Sequence, residues 1–118
     1  MIVGIDHIQL AMPSGLEARA REFYSGVLGI PEVPKPAELA ARGGAWFESG
    51  RVKIHLGVDA DFRPAKKAHP GLLVDDLSEV VRALRDSGYH VRLENTEQAY
   101  VDDPFGNRIE LVQNPGRS

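Results

Sequence analysis

The sequence predicts an α+β chain built from two tandem βαβββ modules. Three observations predict it. Strand-like and helix-like segments follow one another in the same order in both halves, Lys53-Ile54-His55-Leu56 is answered by Arg108-Ile109-Glu110-Leu111, and a histidine opens each half, His7 in the first and His69 in the second. A recurring order of elements with a recurring tetrapeptide is the mark of a duplicated supersecondary unit.

Residues 3–12 are rich in apolar and β-branched side chains that alternate as a strand requires, with Ile8, Leu10 and Met12 on one face and His7 and Gln9 on the other. Ser14-Gly15-Leu16-Glu17 fits a capping box, and Leu16, Ala20, Phe23, Tyr24, Val27 and Leu28 recur at helical spacing before Gly29, predicting a helix over 16–28. Pro31, Pro34 and Pro36 punctuate a short stretch that leaves room for one brief strand, and a turn of helix fits 37–41. Gly43-Gly44 leads into a strand at 45–48, and Ser49-Gly50 turns the chain into another at 51–57.

The second half repeats this order, beginning with a strand at 71–74. Asp76-Leu77-Ser78-Glu79 is a second cap-like start, and Leu77, Val80, Val81 and Leu84 form an apolar helical face ending near Gly88. Strands follow at 90–93 and 99–102. Asp103-Pro104-Phe105-Gly106 suits a type I turn, and a last strand covers 107–113. The expected organisation is one domain over 1–118, with module 1 at about 1–58, a connector at 59–68 and module 2 at about 69–114.

At 118 residues there is room for one domain of ordinary size, and 42% hydrophobic with 26% charged residues is the balance of a globular protein. The formal charge of -3 and the lack of a Lys/Arg run remove the attraction that nucleic-acid binding needs. With no cysteine, disulfides, thiolate ligands and thiol nucleophiles are excluded, so any metal is held by nitrogen and oxygen. The N-terminus lacks a basic region followed by a long apolar stretch, and no apolar run approaches membrane-spanning length; neither a membrane partner nor export is expected, and the location expected is cytoplasmic.

Alternation in a strand sends Ile54 and Leu56 one way and His55 the other, and separates Glu110 from Ile109 and Leu111 in the same manner. His7 likewise opposes Ile8. Ligand-capable side chains therefore gather on the face away from the helices, and if that face is concave they converge. Histidines with a carboxylate make an N/O site suited to Fe, Mn, Ni, Co or Zn, whereas calcium asks for more oxygens. Such a site with open positions can chelate two neighbouring oxygens of a substrate and stabilise the anion formed as a proton or bond is lost.

Asp6-His7-Ile8-Gln9-Leu10, Phe23-Tyr24 with Leu28-Gly29, and Asp103-Pro104-Phe105-Gly106-Asn107-Arg108-Ile109-Glu110-Leu111 together resemble the vicinal-oxygen-chelate superfamily over nearly the whole chain. This is the superfamily of glyoxalases, bleomycin-resistance proteins and extradiol dioxygenases. The resemblance implies paired βαβββ modules whose mixed sheet forms a cup around a divalent metal, commonly in a homodimer. It places His7, His69 and Glu110 on the family's metal ligands. His55 falls where similar lactoylglutathione lyases carry a glutamate, which leaves it as a fourth ligand or a general base. Glu110 and His55 are thus the candidate catalytic groups.

Either Trp46 or Phe47 can line the cup, and Trp46 is preferred. Tyr100 matches a tyrosine that similar resistance proteins place by the metal, and Gln9 shares the face of His7. Arg63, with Lys66 and Lys67, stands before His69 and offers attraction for an anionic substrate. The expected function is a metal-dependent lyase, isomerase or dioxygenase acting on a small oxygen-chelating molecule. The alternative is a metal-free module that sequesters an antibiotic-like compound, as bleomycin-resistance proteins do. Thiol transfer to an epoxide antibiotic shares the metal set, but Gln9 replaces the small hydroxyl residue expected of close fosfomycin-resistance relatives.

Overall fold

A computed structural model describes residues 1–116. The chain divides into two compact units, Met1–Pro64 and Ala65–Ser118.

In the first unit, β1 (Ile8–Met12) is followed by α1 (Glu17–Arg21), a π-helical segment (Glu22–Val27), β2 (Glu32–Val33), the single turn α2 (Ala37–Ala40), β3 (Ala45–Ser49) and β4 (Val52–Val58). The strand order is β1-β4-β3-β2, with β1 parallel to β4 and the remaining pairs antiparallel. Leu10, Met12, Ile54 and Leu56 from the sheet pack in a core with Ala20, Phe23 and Tyr24 from the helix and Phe47 from β3. The predicted strand at 3–12 is shorter than expected. Pairing with β4 begins only at Ile8–Ile54, and Met1, Ile2, Val3 and Ile5 are exposed, because nothing in this unit pairs alongside them. Apolar composition alone therefore overestimated the strand.

The expected 16–28 helix forms, but its second half widens. Leu28 N–H donates to Phe23 O at 3.0 Å, five residues back, and past Gly29 at φ 76° Ile30 N–H closes the end of the helix on Tyr24 O at 3.0 Å. The wider turn reduces the angle between successive side chains, so adjacent Phe23 and Tyr24 are both buried. The capping box at Ser14 does not form. Leu16 occupies the N-cap without a side-chain hydrogen bond, and Glu17 Oε2 instead accepts from Gly44 N–H at 2.8 Å. Gly44 lies at φ 85°, and a Cβ there would stand 2.1 Å from Leu56 O, so only glycine fits.

The second unit contains β5 (Gly71–Val74), α3 (Leu77–Asp86), β6 (Val91–Asn95), β7 (Gln98–Asp102) and β8 (Arg108–Gln113) in the order β5-β8-β7-β6, with β5 parallel to β8. It is the first unit's topology repeated. Here the cap predicted from sequence forms: Asp76 Oδ1 accepts from Glu79 N–H at 3.2 Å, and Leu77, Val81 and Leu84 are buried. The turn before β8 closes with Gly106 N–H donating to Asp103 O at 3.0 Å. The buried Asp103 carboxylate accepts from the N–H groups of Phe105 and Asn107 at 2.9 Å each and from Asn107 Nδ2 at 3.0 Å. Asn107 Oδ1 in turn accepts from Ala65 N–H at 2.9 Å. The start of the unit is thereby tied to its last strand. Among the described residues no helix is long and apolar enough to cross a membrane.

Candidate functional site

Strand register fixes which side chains are neighbours. In the second unit Glu110 lies between Gly71 of β5 and Tyr100 of β7; in the first, His55 lies between Gln9 of β1 and Trp46 of β3. His69 and His7 each stand two residues ahead of these edge-strand positions, so the repeat read from the sequence holds at the level of individual residues.

His69 is oriented from both sides. Its Nδ1 is 2.9 Å from Lys66 O and 2.9 Å from Lys67 O. Carbonyls only accept, so Nδ1 carries the proton. Nε2 then faces Glu110 Oε1 at 3.1 Å. An imidazole lone pair and a carboxylate oxygen repel at that distance, and the contact calls for a positive centre between them, whether a proton or a metal ion. Gln98 Nε2 donates to the other carboxylate oxygen at 2.9 Å, and the Tyr100 ring meets His69 edge-on, with centroids 5.9 Å apart. The Gln98 hydrogen bond, then that of His69, hold the Glu110 carboxyl below the usual carboxylate range despite partial burial, with the nearby His69 charge and the Tyr100 hydroxyl adding to the shift.

In the first unit His55 is buried between two rings. Trp46 stacks on it at 3.9 Å and 3°, and His7 at 4.5 Å and 20°. Its Nε2 lies 2.7 Å from Glu48 Oε2, so this nitrogen donates to the carboxylate. Nδ1 has no hydrogen-bond partner among the described residues and is not sealed from solvent. His7 Nδ1 is 2.9 Å from Asp6 Oδ2, which leaves Nε2 as its open nitrogen. That hydrogen bond, followed by the charge of Lys53, holds Asp6 below the usual carboxylate range.

Of the residues singled out from the sequence, His7, His55 and Trp46 are thus brought together in the first unit, and His69, Glu110 and Tyr100 in the second. Phe47 is in the core against Tyr24, leaving Trp46 on the His55 face. Gln9 is exposed beside Gly57, where an added Cβ would meet its amide at 2.6 Å. Arg63 is strongly exposed and pairs with Asp61, at 3.7 Å, while Lys66 is bound to Asp102 at 3.0 Å. The three connector cations therefore do not form one free cluster. Among the described residues, no three or more His, Asp or Glu side chains surround a common point. Glu48 and Gln98 were missed. Each lies two residues from an aromatic already chosen, Trp46 or Tyr100, and period-two alternation places both on the site face.

An α+β chain of two βαβββ units with a His–Glu pair on the face away from the helix defines a recognisable fold class. The model of the glyoxalase-like domain matches residues 14–112, and the chain belongs to that family, within the vicinal-oxygen-chelate superfamily. It is similar to a protein of Bacillus anthracis assigned to the glyoxalase family, with 46% identity, 97% of each chain covered and a TM-score of 0.89. A glyoxalase/dioxygenase from Nostoc punctiforme shares the fold at 22% identity, with 95% of this chain and 91% of that chain covered and a TM-score of 0.76. So does a fosfomycin resistance protein from Listeria monocytogenes at 14% identity, 98% and 97% coverage and a TM-score of 0.77. No curated protein matches the chain.

Proposed function

We propose that this protein is a metal-dependent enzyme that binds a small substrate through neighbouring oxygens, as a lyase, isomerase or dioxygenase. One observation carries the reading: His69 is held by two backbone carbonyls with Nε2 turned to Glu110 Oε1 at 3.1 Å. Anchoring of one ring nitrogen so that the other is free to bind metal is the usual outer-shell design of a histidine ligand. His7, the first ligand implied by the family resemblance, has the same design with Asp6 as the anchor. The donor set of imidazole and carboxylate suits Fe, Mn, Ni, Co or Zn. Bound there, such an ion supplies Lewis-acid stabilisation of a substrate oxyanion.

This chain's own groups divide the remaining work. Gln98 and Tyr100 hold the Glu110 carboxylate in place and in its charged form. His55 is the candidate proton-transfer residue, because Glu48 orients its ring through Nε2 and Nδ1 stays open. Trp46 on the face of His55 restricts the ring to one plane and offers an apolar surface to substrate. A homodimer in the cytoplasm completes the proposal, and the exposed apolar residues Met1, Ile2, Val3 and Ile5 support self-association.

The test is metal content by mass spectrometry on protein purified without a His-tag, alongside His69→Ala and Glu110→Ala. Stoichiometric first-row metal that both variants lose is the expected result. Failure of the wild-type protein to take up Mn, Ni, Zn or anaerobic Fe(II) would overturn the proposal in favour of metal-free sequestration.

A further inference from the structure

The second unit contains a pocket of about 510 Å³ at the end of β6, β7 and β8, whose walls include Lys66, His90, Arg92, Tyr100, Asp102 and Arg108. Cross-strand pairing of Arg92 with Tyr100, Tyr100 with Glu110 and Asp102 with Arg108 puts these residues on the sheet face that carries Glu110. The size is that of a small-molecule site. Three permanent cations face one carboxylate on its walls, in a chain whose overall charge is -3. The cations differ in how far they are already engaged. Lys66 is paired with Asp102 at 3.0 Å, and Arg92 is paired with Glu94 and lies over the Tyr100 ring, its Cζ 4.6 Å from the centroid.

Arg108 is the exception. Among the described residues no carboxylate lies within ion-pairing distance of its guanidinium, and the group is half-buried without being sealed from solvent. Its backbone is fixed by β7 on one side and by the hydrogen bond from its N–H to Ala65 O, at 2.8 Å, on the other. A guanidinium held on a rigid strand, with no carboxylate partner among the described residues, presents its fork of N–H donors to the pocket, and that fork matches the paired oxygens of a carboxylate or phosphate.

We propose that this pocket binds a small oxyanion, carboxylate or phosphate, on Arg108 with Arg92 at its side. If the metal-dependent reading above holds, that oxyanion is the charged end of the substrate, and Tyr100, which contacts both the pocket and the His69–Glu110 pair, separates the two ends. The connector residue Arg63 then has no part in anion binding.

The experiment is an NMR titration of metal-free protein with inorganic phosphate and, separately, with malonate, following the guanidinium Nε–H groups and the Tyr100 amide. Saturable shifts at Arg108, Arg92 and Tyr100 are expected, and the probe that binds more tightly identifies the oxyanion. Loss of a charge-assisted pair should weaken binding by about tenfold or more in Arg108→Gln. Arg108→Lys keeps the charge but loses the fork and should fall between; Arg63→Gln, outside the pocket, should bind as the wild type does. Non-saturating shifts for both probes, or equal affinity in a folded Arg108→Gln variant, would overturn the proposal. Because metal is absent throughout, failure of the metal-dependent reading leaves this result unaffected, and the reverse also holds.

Discussion

Replacing Asp103 with alanine should destabilise the second unit more than any substitution of an exposed residue. The residue is 4% exposed, and its carboxylate accepts hydrogen bonds from the N–H groups of Phe105 and Asn107 and from Asn107 Nδ2. Hydrogen bonds to a charged group contribute about 1.5–3 kcal/mol each, and an abandoned buried donor costs about 1–3 kcal/mol. These figures describe the same bonds and overlap, and part of the turn can relax, so the expected loss is roughly 3–5 kcal/mol. At about 4 °C per kcal/mol for a chain of this size, Tm should drop by roughly 12–20 °C. Asp103→Asn keeps an acceptor for the two backbone donors but sets its amide N–H against Asn107 Nδ2. Asn107 cannot flip in response, because its Oδ1 is committed to Ala65 N–H. That variant should lose roughly 1–2 kcal/mol. Urea unfolding followed by circular dichroism measures both, and a loss below about 1 kcal/mol for Asp103→Ala would refute the assignment of this carboxylate as the organiser of the turn.

Two further outcomes follow from the geometry. Gly44→Ala should cost roughly 1–3 kcal/mol or more in thermal unfolding, since it combines a left-handed backbone with a Cβ 2.1 Å from Leu56 O; an unchanged Tm would contradict the close approach. In metal-free protein, Gln98→Ala should raise the Glu110 carboxyl toward its ordinary range, as read by carboxyl NMR titration. The sign follows from linkage. The folded-state value is lowered, so its stabilisation is present above the unfolded-state pKa and is lost as pH falls through the folded one; the variant should lose that share of stability at neutral pH and shed less on acidification.

Much of this architecture was legible in the sequence because duplication and alternation are local signals. The pair Lys53-Ile54-His55-Leu56 and Arg108-Ile109-Glu110-Leu111 falls on β4 and β8, the central strands of the two sheets, and the histidines ahead of β1 and β5 take matching positions. What escaped depends on contacts distant in sequence. Glu17 reads as a capping residue until Gly44 is seen to donate to it across the unit. Residues 3–7 read as strand because nothing local reports the lack of a neighbour. Arg108 reads as one half of a repeated basic position, yet its counterpart Lys53 lies 3.9 Å from Asp6, whereas among the described residues no carboxylate pairs with Arg108. Asp-Pro-x-Gly, the most specific family signal, owes its form to the buried hydrogen-bond hub at Asp103, which positions the strand carrying Glu110.

The most direct test of the metal assignment is a zinc titration of tag-free protein followed through the imidazole nitrogens by NMR. The account predicts that Nε2 of His69 moves to the metal-bound range with Nδ1 remaining protonated, that Nε2 of His7 responds in the same way, and that His55 keeps its Nε2 proton on Glu48. Metal binding at His55 with His69 unchanged, or no response from any of the three, would contradict it.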